Sequence, residues 1–213
     1  VIVLKTMLIY DTETTGLPDD SRPLDDPRQP HITQIAAQLC DEETGRHILG
    51  SVNLMIKPAG WSIPDEVAKL TGISTELADA YGVPIRTAII AFLDLWALSD
   101  FRVAHNENFD MRMVFLELKR DIHPRGFPET WKDGAAFCTA ESCTQILNLP
   151  PTARMLAAGF NKPKKPNLGE AYRFFTGKEL VNAHNASVDL MGCKAVYFGI
   201  RDHEPAYANE GAA

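Results

Sequence analysis

The sequence predicts an α/β fold, a mixed five-stranded sheet flanked by helices. Three observations predict it. Three strand-like segments follow one another near the start of the chain, as in an antiparallel meander. Further strand-like segments then alternate with segments of helical spacing, the pattern of layered α/β proteins. Acidic side chains fall where strands end and helices begin, in LIYDTETTGL, AHNENFD and AHNASVD.

Taken in order, residues 6–11 form the first strand, because the run from Met7 to Tyr10 is apolar and short enough for a buried strand. Residues 17–31 are polar and proline-rich, with Asp19, Asp20, Asp25 and Asp26, and read as a loop. Residues 32–40 alternate in part and give a second strand, 41–45 a turn, and 47–57 a third strand stopped by Pro58. Ile63-Pro64-Asp65 opens a short helix to about Leu70, ended by Gly72. Residues 85–98 carry apolar side chains at helical spacing. Residues 101–104 form a fourth strand, and 109–118 a helix offering Met113, Phe115 and Leu116 to the core. A short fifth strand covers 135–139, with helices at 140–147 and 168–175. The last helix runs from about Ala186 to Gly199, and the polar tail from Arg201 is expected to fray. No internal repeat appears, so residues 1–200 are expected to form one domain and 201–213 a flexible tail.

Composition narrows the class. A chain of 213 residues with 45% hydrophobic side chains builds a substantial core. The most apolar stretch, 88–98, is broken by Asp94 and is too short to cross a bilayer. No signal peptide is read at the start, where apolar residues run directly into the first strand. Cys40, Cys138, Cys143 and Cys193 have no metal-ligand spacing, which points to reduced thiols in a cytoplasm. The formal charge of −7 is unusual for a nucleic-acid binder. Bound divalent ions would reverse it locally. Weak long-range attraction favours short single-stranded ends over tracking along a duplex.

Asp11 and Glu13 stand two apart, so on a strand both carboxylates leave the same face. Two unneutralised carboxylates side by side repel, which argues for a cation between them. Asp110 opens a helix. His184 and Asp189 are five apart, about 500° along a helix and so some 140° off a common face. His184 is therefore expected in the loop before the last helix, with Ser187 as a cap. Asp11, Glu13, Asp110 and Asp189 supply four hard oxygen ligands, a set suited to two Mg²⁺ or Mn²⁺ ions. Two such ions can clamp the attacking and leaving oxygens of a phosphodiester. Asn106 is expected to tie its loop by side-chain hydrogen bonds. Lys162, Lys164 and Lys165, in NKPKKPN, are the densest basic cluster and are placed to touch a nucleic-acid backbone.

D-x-E after a first strand, then H-N-x-x-F-D, then H-x4-D on a terminal helix, resembles the DEDD 3′–5′ exonucleases in their histidine-type branch. That branch includes the proofreading epsilon subunit of bacterial DNA polymerase III, RNase T and oligoribonuclease. The resemblance covers about residues 7–200. It implies a ribonuclease H-like fold and metal-dependent hydrolysis of single-stranded DNA from the 3′ end, releasing nucleoside 5′-monophosphates. It implies that Asp11, Glu13 and Asp189 hold one ion, that Asp11 and Asp110 hold the second, and that His184 takes a proton from the attacking water. It also implies that Thr14, Thr15, Gly16 and Leu17 seat the terminal nucleotide, with Leu17 against its base. Two positions depart from many relatives: Thr71 stands where a histidine precedes Gly-Ile, and Cys138-Thr139 where Asp-Thr follows the fifth strand. The first departure puts one nucleotide contact in doubt. The expected partner is single-stranded nucleic acid with a free 3′-hydroxyl, DNA before RNA, with no membrane. Two rival readings are an exoribonuclease and a non-catalytic module accessory to a polymerase. The short stretch after the last helix offers no long tail to tether a polymerase.

Overall fold

The computed structural model describes residues 4–46, 48–120 and 127–203. Its sheet has five strands in the order β3-β2-β1-β4-β5. β1 (Thr6–Thr14), β2 (Ile32–Asp41) and β3 (Ile48–Met55) form the antiparallel meander. β4 (Phe101–Ala104) and β5 (Ala136–Cys138) add to the far side of β1 in parallel. The sheet is therefore mixed, as the alternation of elements predicts, and β1 lies at its centre.

Alternation along β1 sorts the core onto two faces. Leu8 and Tyr10 enter a cluster with Ala88, Ile89 and Phe92 of α3 (Ile85–Trp96) and Met113 and Leu116 of α4 (Glu107–Arg120). Met7 and Ile9 enter another with Ala186, Leu190, Cys193 and Tyr197 of α10 (Ala186–His203). Those four α10 residues recur at the three- and four-residue steps of one helical stripe, which lies along β1 and β2. Continuing the parity of β1, Asp11 and Glu13 leave on the α10 face and Thr12 on the α4 face. The two helices thus approach the end of β1 from opposite sides.

The remaining elements are α1 (Asp65–Thr71), α2 (Thr75–Tyr81), α5 (Phe127–Asp133), α6 (Thr139–Ser142), α7 (Thr144–Leu147), α8 (Ala153–Ala157) and α9 (Leu168–Thr176). α1 ends where Gly72 takes a left-handed φ of 75°, the conformation glycine adopts at least cost. The predicted helix at 140–147 is two short helices that meet at Cys143. Three short helices, α2, α5 and α8, were not expected from the sequence. The last helix also outruns its predicted end: Arg201 to His203 are helical rather than frayed, and residues 204–213 of the expected tail lie outside the described residues. His47, the expected first residue of the third strand, lies outside them too. The four cysteines are free thiols, three of them buried. Among the described residues, no helix is long and apolar enough to cross a membrane.

Candidate active site

The last residues of β1 carry the first pair. Asp11 and Glu13 face Ala36 and Gln34 of β2 in register. Asp110 sits in the first turn of α4, 2% exposed. The backbone N–H of Thr12 and its hydroxyl both donate to one Asp110 oxygen, at 3.0 and 2.7 Å. These two hydrogen bonds fix the carboxyl against the end of β1. The start of α4 is anchored in turn by Glu107, which accepts from Arg102 Nε at 2.5 Å and from the Tyr10 hydroxyl at 3.0 Å.

His184 precedes α10, as the spacing requires, and holds a left-handed backbone with φ of 67°. Its backbone N–H donates to Asp189 Oδ2 at 2.9 Å. The expected cap, Ser187, is not the cap. Asn185 performs that role: its Oδ1 accepts from the Ser187 backbone N–H at 3.2 Å and from the Ser187 hydroxyl at 2.7 Å. An asparagine immediately before a helical run is a recognised start signal, so this residue could have been found from sequence.

Glu13, His184 and Asp189 each offer a ligand atom, and these atoms lie within 4.8 Å of one another. Asp11 and Asp110 are outside that tight group but inside its field. Burial, then Asp110, Asp189 and Glu13, push the Asp11 carboxyl well above the usual carboxylate range. Burial and Asp189 push Glu13 up to about 7. Burial raises Asp110, with Thr12 opposing and Glu107 and Glu13 adding to the rise. Burial raises Asp189, while the N–H and the charge of His184 pull it back. Four carboxylates that disfavour one another's ionisation form a site that a divalent cation would relieve. Asp189 Oδ1 adds an independent sign: it is buried and has no hydrogen-bond partner. An acceptor left this way is costly unless something binds it. The donor set therefore fits hard cations such as Mg²⁺ or Mn²⁺.

The turn after β1 is locally knitted. Thr14 Oγ1 donates to the Gly16 carbonyl at 2.8 Å. Thr15 exchanges two 2.9 Å bonds with His31. Leu17 is 80% exposed, so it is not tucked beneath the loop. Asn106 also has a left-handed backbone, φ 70°, and its Oδ1 accepts from Lys165 at 3.3 Å. The loop is thus tied, as expected, and the tie runs to the basic segment.

The three lysines of that segment differ. Lys164 is bonded to Glu170 at 2.5 and 2.7 Å, beside the capping box that starts α9. Lys165 also reaches Glu141 at 3.1 Å. Lys162 is exposed and lies over the Phe160 ring. His105 joins the loop between β4 and α4 to this segment: its ring nitrogens meet Thr139 Oγ1 at 2.9 Å and the Pro166 carbonyl at 3.1 Å. Burial holds its pKa down at about 4, so it stays neutral and serves as a tie. Thr71 turns inward, donating to the Val67 carbonyl at 2.9 Å, and closes α1. Sequence reasoning passed over Thr12, Gln34 and His105, whose roles arise from pairings 34 to 152 positions apart.

A search of curated proteins finds no match to this chain. The family profile that matches is RNase T, described as exonuclease, over residues 8–197. Among solved structures, Escherichia coli exonuclease I with a dA16 oligonucleotide superposes with a TM-score of 0.70 at 20% identity, over 94% of this chain and 42% of that one. A zinc-bound complex of the same enzyme with single-stranded DNA gives 0.69 at 19% identity, over 96% and 42%. A product-bound form of exonuclease I gives 0.70 at 19% identity, over 95% and 45%. The chain thus spans less than half the length of these neighbours, and their likeness bears on the fold alone. The profile covers nearly all of the described sheet and helices and includes every residue of the carboxylate–histidine cluster, so the chain belongs to the RNase T exonuclease family of the DEDD superfamily.

Proposed function

We propose that this chain is a metal-dependent 3′–5′ exonuclease that shortens single-stranded DNA from a free 3′-hydroxyl and releases nucleoside 5′-monophosphates. The observation that carries this reading is the cluster itself: Glu13, His184 and Asp189 with ligand atoms close together, the Asp11 and Asp110 carboxyls within their field, and a buried, unpartnered oxygen on Asp189. Asp11, Glu13, Asp110 and Asp189 are assigned as ligands of two divalent ions, Mg²⁺ or Mn²⁺. Such ions supply positive charge at the attacking and leaving oxygens of a phosphodiester. His184, exposed and outside the helix, is assigned the proton of the attacking water. Asp189 holds the His184 backbone while its other oxygen remains free for a cation.

Thr14, Thr15, Gly16 and Leu17 are assigned to the terminal nucleotide. An apolar side chain 80% exposed four residues after Glu13 is suited to lie against a base. Asn106, Lys162 and Lys165 are assigned to the strand backbone, and Lys164 less directly because Glu170 already neutralises it. Single-stranded DNA is favoured because the fold's neighbours include complexes with such strands. RNA selection needs groups that read the 2′-hydroxyl, and none is assigned here.

Initial rates on matched DNA and RNA oligomers, alongside a circular single strand, test the reading. Linear DNA is expected to be cut fastest and the circle to resist. Faster cutting of RNA would move the substrate to RNA, and cutting of the circle would overturn exonuclease action.

A further inference from the structure

The segment carrying His184 and Asp189 is not held by local preference. His184 sits at a left-handed φ of 67°, which a side chain other than glycine seldom adopts. Asn182, two residues earlier, does the same at 59°. External ties must hold such a segment in place. At the start of α10, Asn185 satisfies three backbone donors: its side chain takes the Ser187 N–H, and its carbonyl takes those of Val188 and Asp189. The remaining first-turn donor, the Ala186 N–H, is buried and goes to Gln34 Oε1 at 3.1 Å.

Gln34 is well placed for this. On β2, it pairs in register with Glu13 of β1, and it reaches α10 from the sheet. Behind it, its Nε2 donates to Asn53 Oδ1 of β3 at 2.8 Å. Asn53 is the diagonal neighbour of Gln34, since it pairs in register with Ala36. An amide suits the position because it accepts on one side and donates on the other. It also adds no fifth negative charge beside Glu13.

We infer that Gln34, backed by Asn53, is a positioning residue that sets the His184–Asp189 segment against Glu13, so that both the cation site and the base depend on it. This rests on the exonuclease reading for the base and on the ligand assignment for the cation. Partners of metal ligands commonly cost 10–100-fold in metal affinity or activity when removed.

The test compares the wild type with Gln34→Met and Asn53→Ala. Two readouts are used: Mn²⁺ affinity by calorimetry, and kcat and KM on a single-stranded DNA oligomer, with a thermal melt of each variant as the folding control. Gln34→Met keeps the shape and loses the acceptor. It is expected to weaken Mn²⁺ binding and lower kcat, each by about 10–100-fold, with KM for the oligomer unchanged. Asn53 is exposed, so Asn53→Ala should fold and show a smaller loss in the same direction. Wild-type Mn²⁺ affinity in Gln34→Met or Asn53→Ala would overturn the inference. An inactive wild type that still binds Mn²⁺, with affinity lost in Gln34→Met, would sink the exonuclease reading and leave the positioning of the cation site standing.

Discussion

His184 and Asp189 divide two tasks across five residues. α10 fixes Asp189, and the left-handed loop before it leaves the His184 ring exposed; on the proposed reading the first holds an ion and the second takes a proton. His184→Ala is therefore expected to lower the rate by about 10²–10⁴-fold, the usual weight of a general base. Metal affinity should stay near the wild-type value, because carboxylates supply the main ligands. Calorimetry showing that affinity collapses in this variant would make His184 a ligand instead, a role its place within 4.8 Å of Glu13 and Asp189 would allow. The carboxylates themselves predict a pH dependence for the metal-free protein. Glu13 is raised from 4.5 to about 7, and Asp11 and Asp110 move the same way. The folded state thus favours their protonated forms. Their contribution to stability is fully present below the unfolded pKa values and is lost as pH rises through the folded ones. The melting temperature in EDTA should fall between about pH 5 and pH 8, and Mg²⁺ or Mn²⁺ should restore it at the upper end. A melting temperature in EDTA that is flat or rising over that interval would contradict the crowding of acids described here.

At the scale of elements, the start of α4 is the most strongly anchored point near the site. Arg102 is buried beneath it, its guanidinium stacked 4.3 Å from the Trp131 ring and paired with Glu107. Glu107→Ala would strand that charge, and breaking one side of a buried pair typically costs about 3–5 kcal/mol. Chemical denaturation is the measurement; a loss under about 1 kcal/mol would place this pair with exposed salt bridges instead. Much of this architecture was legible in the sequence. Met7 to Tyr10 read as a buried strand because nothing else fits an apolar run of that length, and all four are fully buried. Asp11 and Glu13 shared a face by strand parity, and helical angle alone excluded His184 from α10. Other features were not legible. α2, α5 and α8 span seven, seven and five residues, too few for periodicity to emerge. Thr12 and Gln34 gained their roles only when folding brought distant segments together. Lys164 looked available in a basic run, but its partner Glu170 lay in the next helix.

For the whole molecule, the balance of charge sets how substrate arrives. With a formal charge of −7, the proposed reading has attraction to a strand depend on ions held at the cluster more than on a broad basic face. Raising salt should therefore weaken binding less steeply than for proteins with many phosphate contacts. A 3′-phosphate should block the reaction, because it adds negative charge among carboxylates where a hydroxyl is expected; equal rates on 3′-phosphate and 3′-hydroxyl strands would remove the terminal seat from Thr14 to Leu17. On the proposed reading, four carboxylates at the end of β1 hold ions that drive stepwise cleavage from the 3′ end. A 5′-labelled linear single strand, resolved on a gel over time, tests it most directly. With Mg²⁺ the label should descend through a ladder of ever shorter strands, and EDTA, Asp11→Ala or Asp189→Ala should leave it at full length. Release of the label as a mononucleotide at the earliest times, or the same ladder in EDTA, would contradict it.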